Sequence, residues 1–428
     1  MTVIERLDDA LFAVDMLLRA AREGLETGVV FNPKRKDLRI DPYPFYAELR
    51  ERDPIHRSYA AGGWVLSRYD DILGVLADRR YSSDERNWSR RARLRARGRR
   101  AGLPDMYDDG LASMLRIDPP DHTRLRGLVS KAFTPRAVER MRPRIEAVVD
   151  ELLGGLEGRS EIELVREFGA PLPVAIIAEM LGIPSADRAR FRHGSDEAVR
   201  LLGDGTKEDR RRGGKGFREL MRYLEDEVAT RRREPRDDLL SAMVAAEEAG
   251  DRLSTQELFS TCVLLLVAGN ETTTNLIGNG MIALLRHPEQ LERLRREPKR
   301  IPGAVEELLR YDSPVQLTSR IVLEEGELRG RKIRRGEQLV LLLGAGNRDP
   351  ARFADPERLD IAREDVHPLS FGHGIHYCLG AQLARLEAQI AFEGLIERFP
   401  DLRFGAGSIA WGDNTILRGP TSLPLAVR

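Results

Sequence analysis

Cysteine is almost missing from this chain of 428 residues: there are two, Cys262 and Cys378. A pair of lone cysteines excludes a disulfide framework, a four-cysteine zinc site and an iron–sulfur cluster held within the chain. Net charge is missing too, because Lys+Arg and Asp+Glu both number 69. That balance gives no electrostatic footprint for nucleic acid. No apolar run reaches the length of a membrane span; the longest surrounds Val263 to Ala268. Near the start, Glu5, Asp8 and Asp9 interrupt any signal-peptide core. Together these absences predict a globular protein of the reducing cytoplasm with no transmembrane segment. Hydrophobic residues at 41% and charged residues at 32% suffice for a large core.

Helical periodicity dominates what is present. It predicts helices near 136–157, 171–182, 216–232, 237–249, 254–286, 288–296, 303–311 and 378–398. Strand-like pieces are short: Ile55 to Ser58, Gly63 to Ser67, Ile321 to Leu323, Leu339 to Leu343 and a C-terminal pair near Leu417 to Val427. Mostly helix, with a small sheet and no βαβ alternation, argues against a Rossmann enzyme. Gly213-Gly214-Lys215-Gly216 reads as a flexible loop, with no preceding strand to make it a phosphate cradle. Over residues 1–30, Ile4, Leu7, Leu11, Val14, Leu18, Ala21 and Leu25 form a stripe that predicts an amphipathic helical extension. A membrane-surface helix or a dimer seam would show this stripe; packing on its own domain is the simpler expectation. The chemistry-bearing segments lie between positions 122 and 378, so 31–428 reads as a single domain.

Residues 371 to 387, FGHGIHYCLGAQLARLE, are the most informative stretch. A glycine-punctuated loop delivers Cys378 to the expected first turn of a helix. The orphan N–H groups and positive dipole end there would favour a thiolate, hence a metal ligand. Gly372, Gly374 and Gly380 would let a large flat ligand approach the backbone. A buried structural thiol is the plain alternative, and a zinc site from His373, His376 and Cys378 is a second.

This segment resembles the haem-binding loop of the cytochromes P-450, in which Phe, Gly, Cys and Gly fall where Phe371, Gly374, Cys378 and Gly380 stand. His376 occupies the basic position two before the cysteine. Pro368 intervenes between His367 and Leu369, where the bacterial pattern runs directly from His to Leu. The resemblance implies a mainly α fold: one large helical domain with a long central helix and small β-sheets. It makes Cys378 the iron ligand of haem b, with Phe371, Gly372 and Gly380 beside the cofactor.

The longest helical pattern, Leu253 to Leu285, carries Ala268-Gly269-Asn270-Glu271-Thr272-Thr273 in its middle. An acid and a hydroxyl next to glycine, inside an apolar helix, are costly to bury without a partner or a function. One reading is a back-bonded threonine and a glutamate paired elsewhere. The other is chemical: Ala268 and Gly269 open a groove for a diatomic ligand where the helix can deform. Thr272 then hydrogen-bonds dioxygen, and Glu271 relays protons. The segment matches the family's Ala-Gly-x-Asp/Glu-Thr-Thr oxygen-activation motif.

Other motifs follow in the family's order. Glu307 and Arg310 form its Glu-x-x-Arg pair, which Arg363 completes as a structural network. His122, Arg126, Arg320 and His376 are the implied ligands of the haem propionates. Leu264, Gln316, Leu317 and Thr318, with Ala268, are the expected substrate lining.

The resemblance implies a monooxygenase that inserts one atom of O2 into a small organic substrate, by hydroxylation or epoxidation in secondary metabolism or catabolism. Electrons from NAD(P)H would arrive through a reductase and a ferredoxin or flavodoxin. That partner would dock near Cys378 on Arg124, Lys131, Arg136 and Arg140. A peroxide-driven peroxygenase and a non-catalytic haem sensor or carrier are the alternatives. Eight arginines and no acids occur between Arg86 and Arg100, and Arg210, Arg211 and Arg212 form a second cluster. Both suit a solvated loop or a basic rim for an anionic or carrier-bound substrate.

Overall fold

The computed structural model describes residues 18–33, 35–59, 61–92, 113–199, 207–248 and 253–428, together with Val14. A 32-residue helix, Thr255–Arg286, runs through the middle of the molecule. Its start is written in a capping box: Ser254 Oγ accepts the Glu257 N–H at 3.2 Å, and Glu257 accepts the Ser254 N–H at 2.8 Å. The helix packs against Pro171–Met180, Leu239–Glu248, Ile301–Tyr311 and Ala381–Arg398. Leu276, Ile277, Met281 and Leu284 are fully buried in that core, each worth roughly 1.5–3 kcal/mol. At Gly280 a Cβ would press into the Phe392 ring of Ala381–Arg398, so glycine sets how closely the two helices approach.

The fold is mainly α, as expected, and the predicted long elements exist with shifted ends. The stretch expected over 136–157 is divided into Pro135–Glu139 and Arg142–Gly154. Short helices such as Tyr43–Arg52 and Tyr69–Ala77 give little periodicity and went unpredicted. The glycine run needs correction, because residues 213–216 lie inside the helix Lys207–Arg233 rather than in a loop. That helix packs on Arg188–Val199. A Cβ at Gly216 would collide with Glu197, so the residue permits a close crossing and costs propensity to do so.

Ile55–Ser58, Gly63–Leu66, Gln338–Leu341, Thr318–Val322 and Tyr81–Ser82 form a five-stranded sheet in that order. All its pairings are antiparallel except Gly63–Leu66 with Gln338–Leu341. The C-terminal strands do not pair with each other. Pro420–Ser422 joins Ala410–Trp411, whereas Pro424–Ala426 lies between Glu161–Glu163 and Arg403–Phe404.

The N-terminal stripe also departs from expectation. Val14, Leu18 and Leu25 are exposed by 53%, 66% and 89%, so the apolar face points away from the domain. Glu23 is the buried side, at 0% exposure. It accepts the Phe31 and Tyr59 N–H groups at 2.6 and 2.8 Å and lies 2.9 Å from His56 Nε2. Asp53 sits 3.1 Å from the other ring nitrogen. Burial alone would lower the His56 pKa, but the bonds to Asp53 and Glu23 outweigh it and raise it. An ionic clamp, not the stripe, holds this segment. Ile4, Leu7 and Leu11 lie outside the described residues.

Candidate active site

The cysteine loop is built from two single 3-10 turns, Leu369–Phe371 and Gly374–His376. Gly372 and Gly374 take φ of +69° and +71°, which side chains with a Cβ rarely adopt. The Cys378 N–H closes the loop onto the Phe371 carbonyl at 2.9 Å. Arg385 braces it, stacking 4.5 Å from the Phe371 ring and donating to the Tyr377 hydroxyl at 3.0 Å. The helix begins at Ala381 with Gly380 as its cap, so Cys378 precedes the first turn instead of lying in it. Burial raises the thiol pKa, against the lowering influence of the Gly380 N–H and of Arg126 and Arg385. The helix end alone does not make a thiolate here. Even so, Cys378 is exposed, unlike the buried Cys262.

Four basic side chains converge beside this loop. The His122 and His376 rings lie 4.2 Å apart. His376 has its pKa lowered to about 3, by burial first and then by His122, Arg320 and Arg126. Arg320, 7% exposed, is lowered to about 10 by burial. Among the described residues it bonds only to the Ser319 carbonyl at 2.8 Å and the Thr318 hydroxyl at 3.5 Å. Arg126 donates to the Tyr377 carbonyl at 2.7 Å, so it grips the cysteine loop as well as facing the cluster. Both His122 ring nitrogens and His376 Nε2 are buried without a hydrogen-bond partner. His367, by contrast, is 72% exposed and pairs with Asp365 at 2.9 Å.

On the central helix, Ala268 is exposed although Leu265, Leu266 and Asn270 around it are buried. Gly269 would place a Cβ 3.5 Å from Ile177. The helix stays continuous across this segment. Thr272 Oγ1 donates to the Ala268 carbonyl at 2.7 Å, the back-bonded state. Glu271 Oε2 is buried without a partner, and burial, then the nearby Asp413, raises its pKa to about 7. Thr273 turns the other way, onto Glu387 of Ala381–Arg398, whose burial raises its pKa to about 8. Nothing in the sequence marked Glu387, one charged residue in an amphipathic helix.

Glu307 and Arg310 are both fully buried and joined by two bonds of 2.7 and 2.8 Å; Arg363 Nε lies 3.3 Å from Glu307. Arg310 also donates to the carbonyls of Asn347, Pro356 and Arg358. Asn347 then accepts the Leu369 N–H at 2.6 Å and donates to Ser370 at 2.9 Å, which fastens the network to the cysteine loop. Asn347 and Ser370 were not recognised in this role from sequence; the Asn-Arg-Asp-Pro run was their only signal. Gln316 is buried and held by Tyr43 and Ser313, whereas Leu264, Leu317 and Thr318 are half-buried.

The expected basic surfaces are altered. Arg124 pairs with Glu257 and Asp121, leaving Lys131, Arg136 and Arg140 exposed with no carboxylate partner among the described residues. Arg212 pairs with Glu197 and Arg86 with Asp84. Residues 93–100 and the Arg210 side chain lie outside the described residues.

These groups fit a haem. The Cys378 sulfur is exposed, and among the described residues nothing lies within 4 Å of where a Cβ on Gly380 would stand. Among the same residues, imidazole nitrogens without partners and an arginine without an ion pair suit two propionates. Among the described residues no group of three His, Cys, Asp or Glu side chains is arranged to hold a metal ion, so His373, His376 and Cys378 do not form the alternative zinc site.

Comparison with known proteins agrees. A sequence model described as Cytochrome P450 matches residues 206–400. The chain is 40% identical over 410 residues to the polyketide biosynthesis cytochrome P450 PksS of Bacillus subtilis strain 168, covering 93% of this chain and 99% of that one. The cytochrome P450 monooxygenase PikC of Streptomyces venezuelae is 42% identical, with 92% of both chains covered. The structure of P450BioI in complex with a hexadec-9Z-enoic acid ligated acyl carrier protein superposes with a TM-score of 0.82 at 36% identity, over 92% of this chain and 100% of that one.

Proposed function

The chain belongs to the cytochrome P450 family and is a monooxygenase, and from that premise we propose that it hydroxylates or epoxidises an acyl-type or polyketide-like secondary metabolite. The acyl-ligated carrier protein in the P450BioI complex and the polyketide role in the name of PksS support this substrate class. The observation that carries the reading is the convergence of an exposed Cys378 with four basic residues that make no ion pair among the described residues.

Haem b, when bound, supplies an iron at which O2 is activated and one oxygen atom transferred to the substrate. Cys378 Sγ would hold that iron as a thiolate. Because burial keeps the free thiol protonated, binding must release its proton, and Arg126 and Arg385 stabilise the resulting charge. His122, His376, Arg126 and Arg320 would hold the propionates, and Phe371, Gly372, Gly380, Ala268 and Gly269 would border the ring. Burial holds a proton on the Glu271 carboxyl near neutral pH, with Asp413 on its solvent side. Thr272 gives up its bond to Ala268 and passes that proton toward the oxygen-binding face. The two residues thus supply protons one at a time while the apolar helix excludes bulk water.

Electrons come from NAD(P)H through a reductase and a ferredoxin or flavodoxin, whose acidic surface meets Lys131, Arg136 and Arg140. The test compares substrate-dependent NAD(P)H consumption, with added redox partners, against turnover driven by peroxide alone. Coupled consumption supports the reading. Peroxide-only turnover would indicate a peroxygenase, and no turnover a sensor or carrier.

A further inference from the structure

A cleft opens beside the short helix Lys36–Ile40, against the segment that enters the strand Thr318–Val322. It is lined by Phe31, Leu38, Arg39, Tyr46, Gln316 and Leu317, among others. Its wall is half apolar and half polar, with Asn414, Thr415 and Arg418 completing the polar side. Three of the polar atoms have bonds left to make: Arg39 Nε, Gln316 Oε1 and Arg418 Nε are buried without a hydrogen-bond partner among the described residues.

Neighbouring cations are neutralised. Arg35 pairs with Asp37 at 2.5 Å, and Arg418 with Asp312 at 2.5 Å. Arg39 has neither an ion pair nor a hydrogen bond among the described residues. Gln316, 3% exposed, spends its amide nitrogen on Tyr43 and Ser313, which leaves its oxygen uncommitted. Native structures rarely leave such groups buried and unused. A guanidinium fork with no carboxylate is shaped for a bidentate oxyanion. Leu317 at the cleft and Arg320 in the basic cluster are three residues apart on extended chain, about 10 Å.

We propose that Arg39 anchors the anionic head of an elongated, otherwise apolar substrate at this cleft, with Gln316 accepting any proton donor beside that head. The proposal rests on the monooxygenase reading and specifies its substrate class: a long acyl chain bearing one oxyanion. Arg39 takes the place that the Arg210–Arg212 cluster was expected to fill, since Arg212 is already paired with Glu197. The oxyanion could be the carboxylate of a free acid or the phosphate of a carrier arm; both present paired oxygens to the fork.

The experiment measures binding to the haem-loaded protein by equilibrium dialysis. Its probes are tetradecanoate, methyl tetradecanoate and the tetradecanoyl thioester of phosphopantetheine. Wild-type protein should bind at least one of the anions more tightly than the neutral ester. In Arg39→Gln that anion should weaken roughly ten- to hundredfold, the loss of one charge-assisted bond, while the ester changes less than about threefold. Arg39→Lys, which keeps the charge but loses the fork, should fall between wild type and Arg39→Gln. The anion that responds identifies the source of the head group. Unchanged binding of both anions in Arg39→Gln would overturn the proposal, as would equal loss for the ester or no anion preference in wild type. A thiolate-type carbon monoxide spectrum, recorded on the same samples, separates failure of this anchor from failure of the monooxygenase reading.

Discussion

Replacing Glu307 by glutamine is close to isosteric, yet the structure predicts a severe effect. Oε1 accepts from Arg310 Nη2, Arg363 Nε and the Asp360 N–H; Oε2 accepts from Arg310 Nε. Whichever oxygen becomes the amide nitrogen, its N–H groups face a donor that has nowhere else to turn. The buried Arg310 and the half-buried Arg363 also lose the anion they share. Breaking a buried pair this way costs about 3–5 kcal/mol, against a total stability of about 5–15 kcal/mol for a typical native protein. Because Arg310 reaches the cysteine loop through Asn347 and Ser370, haem retention should fall with stability. The assay is guanidinium unfolding followed by circular dichroism, together with the haem content of the purified protein. A Glu307→Gln protein with a wild-type midpoint and full haem would refute the reasoning.

Other expectations follow from the same geometry. Glu271 has a folded pKa near 7, above its unfolded value. The folded state therefore holds the extra proton between about pH 4.5 and 7, and stability falls as pH rises through that window. Glu271→Gln should reduce this slope by its own share, leaving the part that Glu387 contributes, which urea titrations of the apoprotein at several pH values would show, and should slow O2-dependent turnover roughly a hundredfold. Arg320→Leu removes a buried cation from the propionate cluster and should speed haem transfer to an apo-acceptor roughly ten- to hundredfold; an unchanged transfer rate would place the propionates elsewhere. Gly216→Ala should destabilise by about 1–3 kcal/mol through collision with Glu197, although alanine favours helix; a neutral or stabilising outcome in thermal melts would restore the loop assignment.

Periodic signals were the legible ones. The long helix Thr255–Arg286 announces itself through its apolar repeat and its Ser254–Glu257 cap, and the cysteine loop through glycines that the backbone needs at positive φ. Cys378, Thr272 and Glu307 could be named because motif spacing fixes them on the chain. Features set by contacts between distant segments were not legible. Gly213–Gly216 looks like a loop locally, but tertiary packing against Glu197 selects helix. Residues 4–25 show an apolar stripe, yet Glu23 docks instead because His56 and two backbone N–H groups satisfy its charge. Arg124 and Arg212 looked available as single letters, and only folding reveals Glu257 and Glu197 beside them. Arg39, for the opposite reason, could not be distinguished from the other 68 basic residues. Being unpaired is a property of its surroundings.

The most direct test of the account is the carbon monoxide spectrum of the reduced, haem-loaded protein, compared with Cys378→His. Thiolate ligation predicts a strongly red-shifted Soret band in wild type that moves to the ordinary histidine-ligated position in the variant. A wild-type band already at that ordinary position, or a variant that keeps the red shift, would contradict the assignment of Cys378 as the iron ligand.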